Sequence, residues 1–282
     1  MPRPSSVLCP SCGSLVGVKD AQCLNCGRRN PGLWGFAHVL RNVGDDMGFA
    51  MLVMWTCGAL YLASLAADLE GVRTSGLLSI FSPSVPSLFL FGASGAVPVF
   101  GYGRWWTVLS AAWLHAGVLH ILFNMMWVRD LAPPTARLYG PGRTAIIYIV
   151  AGVTGFLASS LAGAVPLLPR FLGGAGFTVG ASAPIFGLIG ALLHYGRRGG
   201  SSYIGQQAKS LAITMLIFGF IVPGIDNWAH LGGLGGGWLA AKVLDPLKPE
   251  RGDHVLVAIG CLVLSALSIG FSVVEGLKLF RS

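Results

Sequence analysis

Residues 227–237 read Asn-Trp-Ala-His-Leu-Gly-Gly-Leu-Gly-Gly-Gly, a lone histidine followed by five glycines in an apolar stretch with no charge before Lys242. In helical geometry His230, Gly233 and Gly237 share a face, at offsets of 0, +3 and +7. Glycines on that face remove side chains and let a second backbone come close beside the histidine, a packing mode of membrane helices. An ionisable side chain at membrane depth is costly and marks a functional position.

The rest of the chain fits a membrane setting. Of its 282 residues 54% are hydrophobic and 11% charged, against roughly 25% charged in a soluble domain, and the mean hydropathy is +0.69. The first residues are polar and rich in cysteine and proline, unlike a signal peptide. Hydropathy predicts seven spans: Gly48–Ala67, Trp105–Val128, Thr144–Leu168, Phe171–Gly196, Ser210–Ile225, Asn227–Ala241 and Val255–Val274. Most reach the roughly 20 residues that cross the hydrocarbon core. The fifth and sixth are short and read as a tight pair about the turn Pro223-Gly224-Ile225-Asp226.

The uncharged stretch between Arg73 and Arg104 is not a span. Pro83, Pro86 and Pro98 interrupt it, and it reads as part of a long first loop, 68–104, lying against the membrane interface. Fourteen of the 19 Lys and Arg residues fall on one side if the N-terminus is cytoplasmic, and the positive-inside rule selects that orientation. The C-terminus then lies on the opposite side. The net charge of +8 reflects this bias and calls for no nucleic-acid partner.

Four of the six cysteines form Cys-Pro-Ser-Cys-Gly at 9–13 and Cys-Leu-Asn-Cys-Gly at 23–27. Two such knuckles suit tetrahedral thiolate binding, so Cys9, Cys12, Cys23 and Cys26 are expected to hold a structural Zn2+ in a small zinc-ribbon-like segment, 1–30. Iron and a pair of disulfides are the alternatives. The cytoplasmic side argues against disulfides, and four thiolates leave no position open for catalysis. Residues 31–47 are a linker with a possible interfacial helix at Phe36–Val43. Cys57 and Cys261 fall inside spans and read as small buried hydrophobes.

Polar residues recur in two further apolar stretches. The second span contains His115, His120 and Asn124. His120 and Asn124, four apart, share a face and can donate to one point, whereas His115 points elsewhere and is expected to support the start of the helix or the preceding loop. The fourth span carries Ser182, then Gly187, Gly190 and Ala191. In the seven-span topology Ser182 and His230 both lie near the outer ends of their helices, the relation a nucleophile and its general base require. Residues 92–95, Gly-Ala-Ser-Gly, look similar to 180–183, Gly-Ala-Ser-Ala, but Ser94 opens no helix and reads as a loop residue. Asp226, four before His230, is explained by the turn rather than as a third catalytic member. Arg129-Asp130 reads as a buried or interfacial ion pair, and His38, His194 and His254 as ordinary surface or interface residues.

Taken together, His-x4-His-x3-Asn at 115–124, Gly-x-Ser at 180–182 and Ala-His-x2-Gly-x3-Gly at 229–237, following Arg104-Trp105, resemble the rhomboid family of intramembrane serine proteases over roughly 48–243. The resemblance implies an all-α polytopic membrane protein with a six-helix core at 48–243, to which this chain adds a linker and a seventh helix at 244–282. It implies Ser182 as nucleophile, His230 as base, and His120 with Asn124 at the oxyanion hole. Supporting roles go to His115, Gly180, Phe186, Gly233 and Gly237. No cofactor serves catalysis, the partners are membrane-protein substrates and the bilayer, and the location is a bacterial inner or plasma membrane. The zinc segment's partner is open.

Three residues depart from the family pattern. Ala183 replaces the usual glycine after the serine, where a methyl at the helix start is expected to crowd the cleft. Pro184 follows in the first turn, where a missing N–H is tolerated. Phe186 stands where tyrosine is frequent and can still stack on the histidine. The function implied is hydrolysis of single-span membrane proteins near the outer leaflet. The alternative is an inactive, client-binding relative, and a transporter is disfavoured by the scarcity of intramembrane carboxylates.

Overall fold

The structure, a computed structural model, describes residues 6–9, 11–31, 45–74, 80–165 and 173–279. The expected helix at Phe36–Val43 lies outside them. The chain divides into two units, 1–48 and 49–282.

In the first unit β1 (Ser6–Leu8) pairs antiparallel with β2 (Leu15–Gly17), in the register Leu8 to Leu15. Both cysteine knuckles adopt one local shape. Gly13 and Gly27 sit at φ 73° and 74°, and each returns its N–H to the first cysteine of its knuckle, Cys9 O at 2.8 Å and Cys23 O at 2.9 Å. A side chain is strained at that φ, which is why each knuckle ends in glycine.

The second unit is helical: α1 Phe49–Ala66, α2 Val85–Phe91, α3 Thr107–Ser110, α4 Val118–Tyr139, α5 Pro141–Gly163, α6 Ser182–Arg197, α7 Ser202–Ile221, α8 Asn227–Val243 and α9 Gly252–Leu279. Helices α1, α5, α7 and α9 are long and apolar enough to cross a membrane, and the segment Thr107–Trp113 joined to α4 through a 92° bend makes a fifth candidate. Helices α6 and α8 have 16 and 17 residues. They are held inside the bundle, where short helices with irregular ends are tolerated because protein, not lipid, surrounds the open backbone groups.

Sequence and structure differ at four places. The second span is not continuous from Trp105. It breaks after a 3-10 turn at Ala111–Trp113, Leu114 is extended, and α4 starts only at Val118; His115 therefore lies in the break, not on the helix. The fourth span does not begin at Phe171, since residues 173–181 are non-helical and the helix opens at Ser182. The fifth begins eight residues earlier than hydropathy allowed, at Ser202, because its first turns are polar and end-capped by the Ser201 hydroxyl. The described part of the first loop is a packed substructure that holds short helices. It contains α2, capped by Ser84 and stopped by Gly92 at φ 103°, and a π-helical turn at Val97–Gly101.

Arg129 and Asp130 pair at 3.0 Å but are 68% and 47% exposed, so the pair is not buried. Helix α8 packs on α5 and α6 more than on α7. His194 is buried and meets the Trp238 ring edge-on at 5.7 Å. His254 Nδ1 accepts from Arg143 Nε at 3.1 Å. The same buried guanidinium donates to the carbonyls of Asp245, Lys248 and Pro249, tying the α8–α9 link to the start of α5.

The centre of the bundle is α5, α6 and α8, and glycine is what lets them meet. A Cβ added at Gly237 would strike the Gly187 backbone, and one at Gly233 the Ala183 backbone. One at Gly190 would lie 2.9 Å from Trp238 N, with Leu234 O nearer still. The face 230–233–237 is thus a backbone-to-backbone contact with α6, as its spacing predicts.

Candidate active site and candidate metal centre

Ser182 is the first residue of α6, preceded by Gly180 at φ 133°. Gly180 is fixed by its N–H, which donates to Ala111 O at 2.9 Å. A Cβ there would fall 2.6 Å from His120 Nε2, so the imidazole presses against the backbone just ahead of Ser182. The ring's orientation is set from its other side, where Ala116 N–H donates to His120 Nδ1 at 3.3 Å. With Nδ1 accepting, the neutral ring carries its proton on Nε2, the atom turned toward Gly180. The break in the second span supplies that N–H.

His230, in the first turn of α8, is buried and stacks on Phe186 with ring centroids 4.3 Å apart and planes 18° from parallel. Phe186 is one turn past Ser182, so the stack brings the histidine to the serine's side of α6. His230 Nδ1 is enclosed without a hydrogen-bond partner, leaving Nε2 as its open nitrogen. Among the described residues Ser182 and His230 form no hydrogen bond with each other; such bonds are commonly long in the absence of substrate. Among the described residues Asp226 makes no hydrogen bond with the imidazole. It caps α8, Oδ1 accepting from Ala229 N–H at 3.0 Å, and its other oxygen accepts from the Ser159 hydroxyl.

Asn124 is buried one turn beyond His120, and the bond it makes is to its own helix, Nδ2 to His120 O at 2.9 Å. The structure leaves it one further N–H. His115 is fully buried with both ring nitrogens unpartnered, its ring edge-on to His120 at 5.2 Å. Ser94 is fully buried and belongs to the backbone: it exchanges two hydrogen bonds with Thr178, at 3.1 and 2.8 Å, while its hydroxyl accepts from Thr107 at 3.3 Å.

Sequence reasoning missed Ala111, Ala116 and Thr178, which act through main-chain atoms and leave no side-chain signature. It also missed Gly155 on α5. A Cβ at Gly155 would lie 2.7 Å from the Ala183 Cβ. The extra methyl at 183 therefore points into α5, where Gly155 makes room, and not into the cleft.

In the first unit the four cysteine sulfurs lie within 4.8 Å of one another. Cys9 and Cys26 are 3.6 Å apart, and Cys12 and Cys23 3.7 Å. Four thiolates at ~2.3 Å about one tetrahedral ion stand roughly 3.8 Å apart, whereas a disulfide brings sulfurs to about 2.05 Å. All four cysteines are free, as thiolate binding of a metal requires. The cluster fits a metal ion.

A Rhomboid domain model matches residues 102–246. The chain is 33% identical over 193 residues to the rhomboid protease GluP of Bacillus subtilis, covering 67% of this chain and 35% of that one. It is 34% identical over 153 residues to the putative rhomboid protease YdcA of the same organism, covering 53% and 72%. Against RHOMBOID-like protein 1 of Arabidopsis thaliana the identity is 32% over 178 residues, covering 61% and 43%. The chain thus spans about a third to two fifths of GluP and RHOMBOID-like protein 1, and nearly three quarters of YdcA. With the serine at the head of one glycine-packed helix and the histidine at the head of the other, all within the matched region, the chain belongs to the rhomboid family of integral, multi-pass membrane proteins.

Proposed function

We propose that the chain is an intramembrane serine endopeptidase that cuts single-span membrane proteins. Ser182 Oγ attacks the carbonyl carbon of a peptide bond while His230 Nε2 accepts the hydroxyl proton. The carbonyl oxygen becomes an oxyanion, for which His120 Nε2–H and the Ser182 backbone N–H at the helix start are donors, with Asn124's remaining N–H beside them. The C–N bond then breaks, the imidazolium returns its proton to the leaving amine, and an ester on Ser182 remains. Water attacks that ester, losing a proton to His230, and the acid is released as Ser182 regains its hydrogen. With Asp226 engaged in the α8 cap, the site works as a dyad.

The observation that carries this reading is the position of His120: its Nε2 is turned to the Gly180–Ser182 backbone at the head of α6. Relatives named as proteases support the reaction class, and retention of both Ser182 and His230 argues against an inactive client-binding protein. The bias of basic residues supports a cytoplasmic N-terminus, a C-terminus on the opposite side and cleavage near the outer leaflet. A bacterial inner or plasma membrane is the proposed location. The proposed organisation is a zinc-ribbon-like segment at 1–30, a linker at 31–47, the catalytic core at 48–243 and a seventh helix within 244–282. The metal of the first segment is proposed to be a structural Zn2+, bound by the unit whose small size leaves little core of its own. A fluorophosphonate probe tests the site: wild type should be labelled and Ser182→Ala should not, and equal labelling of both would remove the proposal.

A further inference from the structure

Helix α9 lies beyond the matched domain, yet it makes some of the most specific contacts in the second unit. Its buried face carries Ser265, Ser268, Ser272 and Gly276. The Ser268 hydroxyl donates to Trp106 O at 2.7 Å, and Trp106 Nε1 donates to the Ser272 hydroxyl at 3.0 Å. Phe271 meets the Trp106 ring edge-on, centroids 4.4 Å apart. Arg104, 1% exposed, donates from one guanidinium nitrogen to Ser272 O at 2.7 Å and from another to Phe89 O at 2.6 Å, with its Cζ 4.1 Å from the Phe89 ring centroid. A buried guanidinium that donates to two carbonyls joins three elements at once: α9, α2 and the chain leading into α3.

From there hydrogen bonds run to Gly180, two residues before the candidate nucleophile. Arg104 N–H donates to Pro98 O at 2.9 Å, and Ser110 Oγ donates to Gly92 O at 2.8 Å. Ser94 is paired with Thr178 through both backbone bonds, and Ala96 and Val97 donate to Ala175 O and Gly176 O at 3.0 and 3.1 Å. Gly180 N–H closes the path on Ala111 O. Residues 173–181 have no helix of their own; these bonds hold Gly180 and the start of α6 together with Ser159 Oγ on α5, which accepts from Ala175 N–H at 3.2 Å, and α9 braces them from the other side.

We infer that α9 is a strut whose Ser268 and Ser272 are positioning residues: through Trp106 and Arg104 they hold the 94–97 and 175–180 segments that set Gly180 and Ser182 against His120. The inference deepens the protease reading and rests on it for its catalytic consequence, while the ordering of the backbone stands apart from activity.

The test uses full-length protein in detergent with three variants. The double variant Ser268→Ala/Ser272→Ala removes both hydroxyls, and Trp106→Phe removes the same indole bond from the other side while keeping a ring against Phe271. Ser265→Ala is the control, because that hydroxyl bonds only within α9, to Cys261 O at 3.0 Å. Hydrogen exchange is read at the amides of Ser94, Ala96, Val97, Thr178 and Gly180, and fluorophosphonate labelling is resolved into the maximal rate and the half-saturating probe concentration. Loss of one or two buried bonds from the strut should raise exchange at those amides about tenfold. It should also lower the maximal labelling rate about tenfold with the half-saturating concentration unchanged, in both strut variants and not in Ser265→Ala. Exchange no faster than in the control would overturn the strut, whatever happens to activity. Faster exchange with an unaltered labelling rate would overturn the positioning role. A wild-type protein that the probe never labels would remove the protease reading, and the exchange result would still decide whether α9 orders the 175–180 segment.

Discussion

Substituting Gly180 by alanine strikes the site where its geometry is most specific. The added methyl would stand 2.6 Å from His120 Nε2 and 2.8 Å from Cε1, where ordinary contact begins near 3.4 Å. The imidazole must therefore retreat by about 0.8 Å, a displacement for which misplacements of roughly 1 Å cost about 10²-fold in rate. Retreat also disturbs the Ala116–His120 bond that fixes which nitrogen carries the proton, and loss of one oxyanion donor costs about 10²–10³. The backbone adds a second effect, since a φ of 133° in a residue with a Cβ stores about 1–3 kcal/mol. Gly180→Ala should lose about 10²–10³ in the maximal rate of reporter cleavage while its thermal midpoint falls only modestly. Gly235→Ala is the comparison, because a Cβ there meets nothing within 4 Å, and it should keep wild-type cleavage. A folded Gly180→Ala enzyme cleaving within about threefold of wild type would refute the argument that the bare Gly180 backbone lets His120 take its place in the oxyanion site.

Purified protein should carry about one zinc per chain, with Cys9→Ser lowering it by metal analysis; deletion of residues 1–30 should leave detergent-solubilised cleavage largely intact. Asp226→Asn should keep both the α8 cap and full activity, whereas Asp226→Ala should cost about 1 kcal/mol of stability, and a large loss of activity in the stable Asn variant would restore the carboxylate to the mechanism. Ser94→Ala should keep probe labelling, because the residue serves through its backbone pairing with Thr178 and its hydroxyl adds only a 3.3 Å contact.

The sequence made the membrane class legible, along with the meeting of α6 and α8, because these follow from composition and from the spacing of small residues on a helix face. Gly233 and Gly237 could be read as a close-contact surface before any partner was known. What escaped was backbone conformation inside apolar stretches. Hydropathy averages over side chains, so it ran straight through the extended residues at 114 and across 173–181, and it placed His115 on a helix that begins three residues later. The polar first turns of α7 failed the opposite way, excluded by composition though helical. The fit of Ala183 into Gly155 pairs residues 28 apart, and the reach of α9 to Arg104 pairs residues 168 apart. Neither has a local signature. The resemblance of motifs identified the family, while the role of the seventh helix had no motif to reveal it.

Ser182 and His230 are proposed as the cleaving pair. Wild type, Ser182→Ala and His230→Ala, each reconstituted in proteoliposomes with a single-span reporter and followed by mass spectrometry, decide it. Wild type should release two fragments whose masses sum to the substrate plus one water, and both folded variants should release neither. Fragments appearing at a comparable rate from either variant would contradict the assignment.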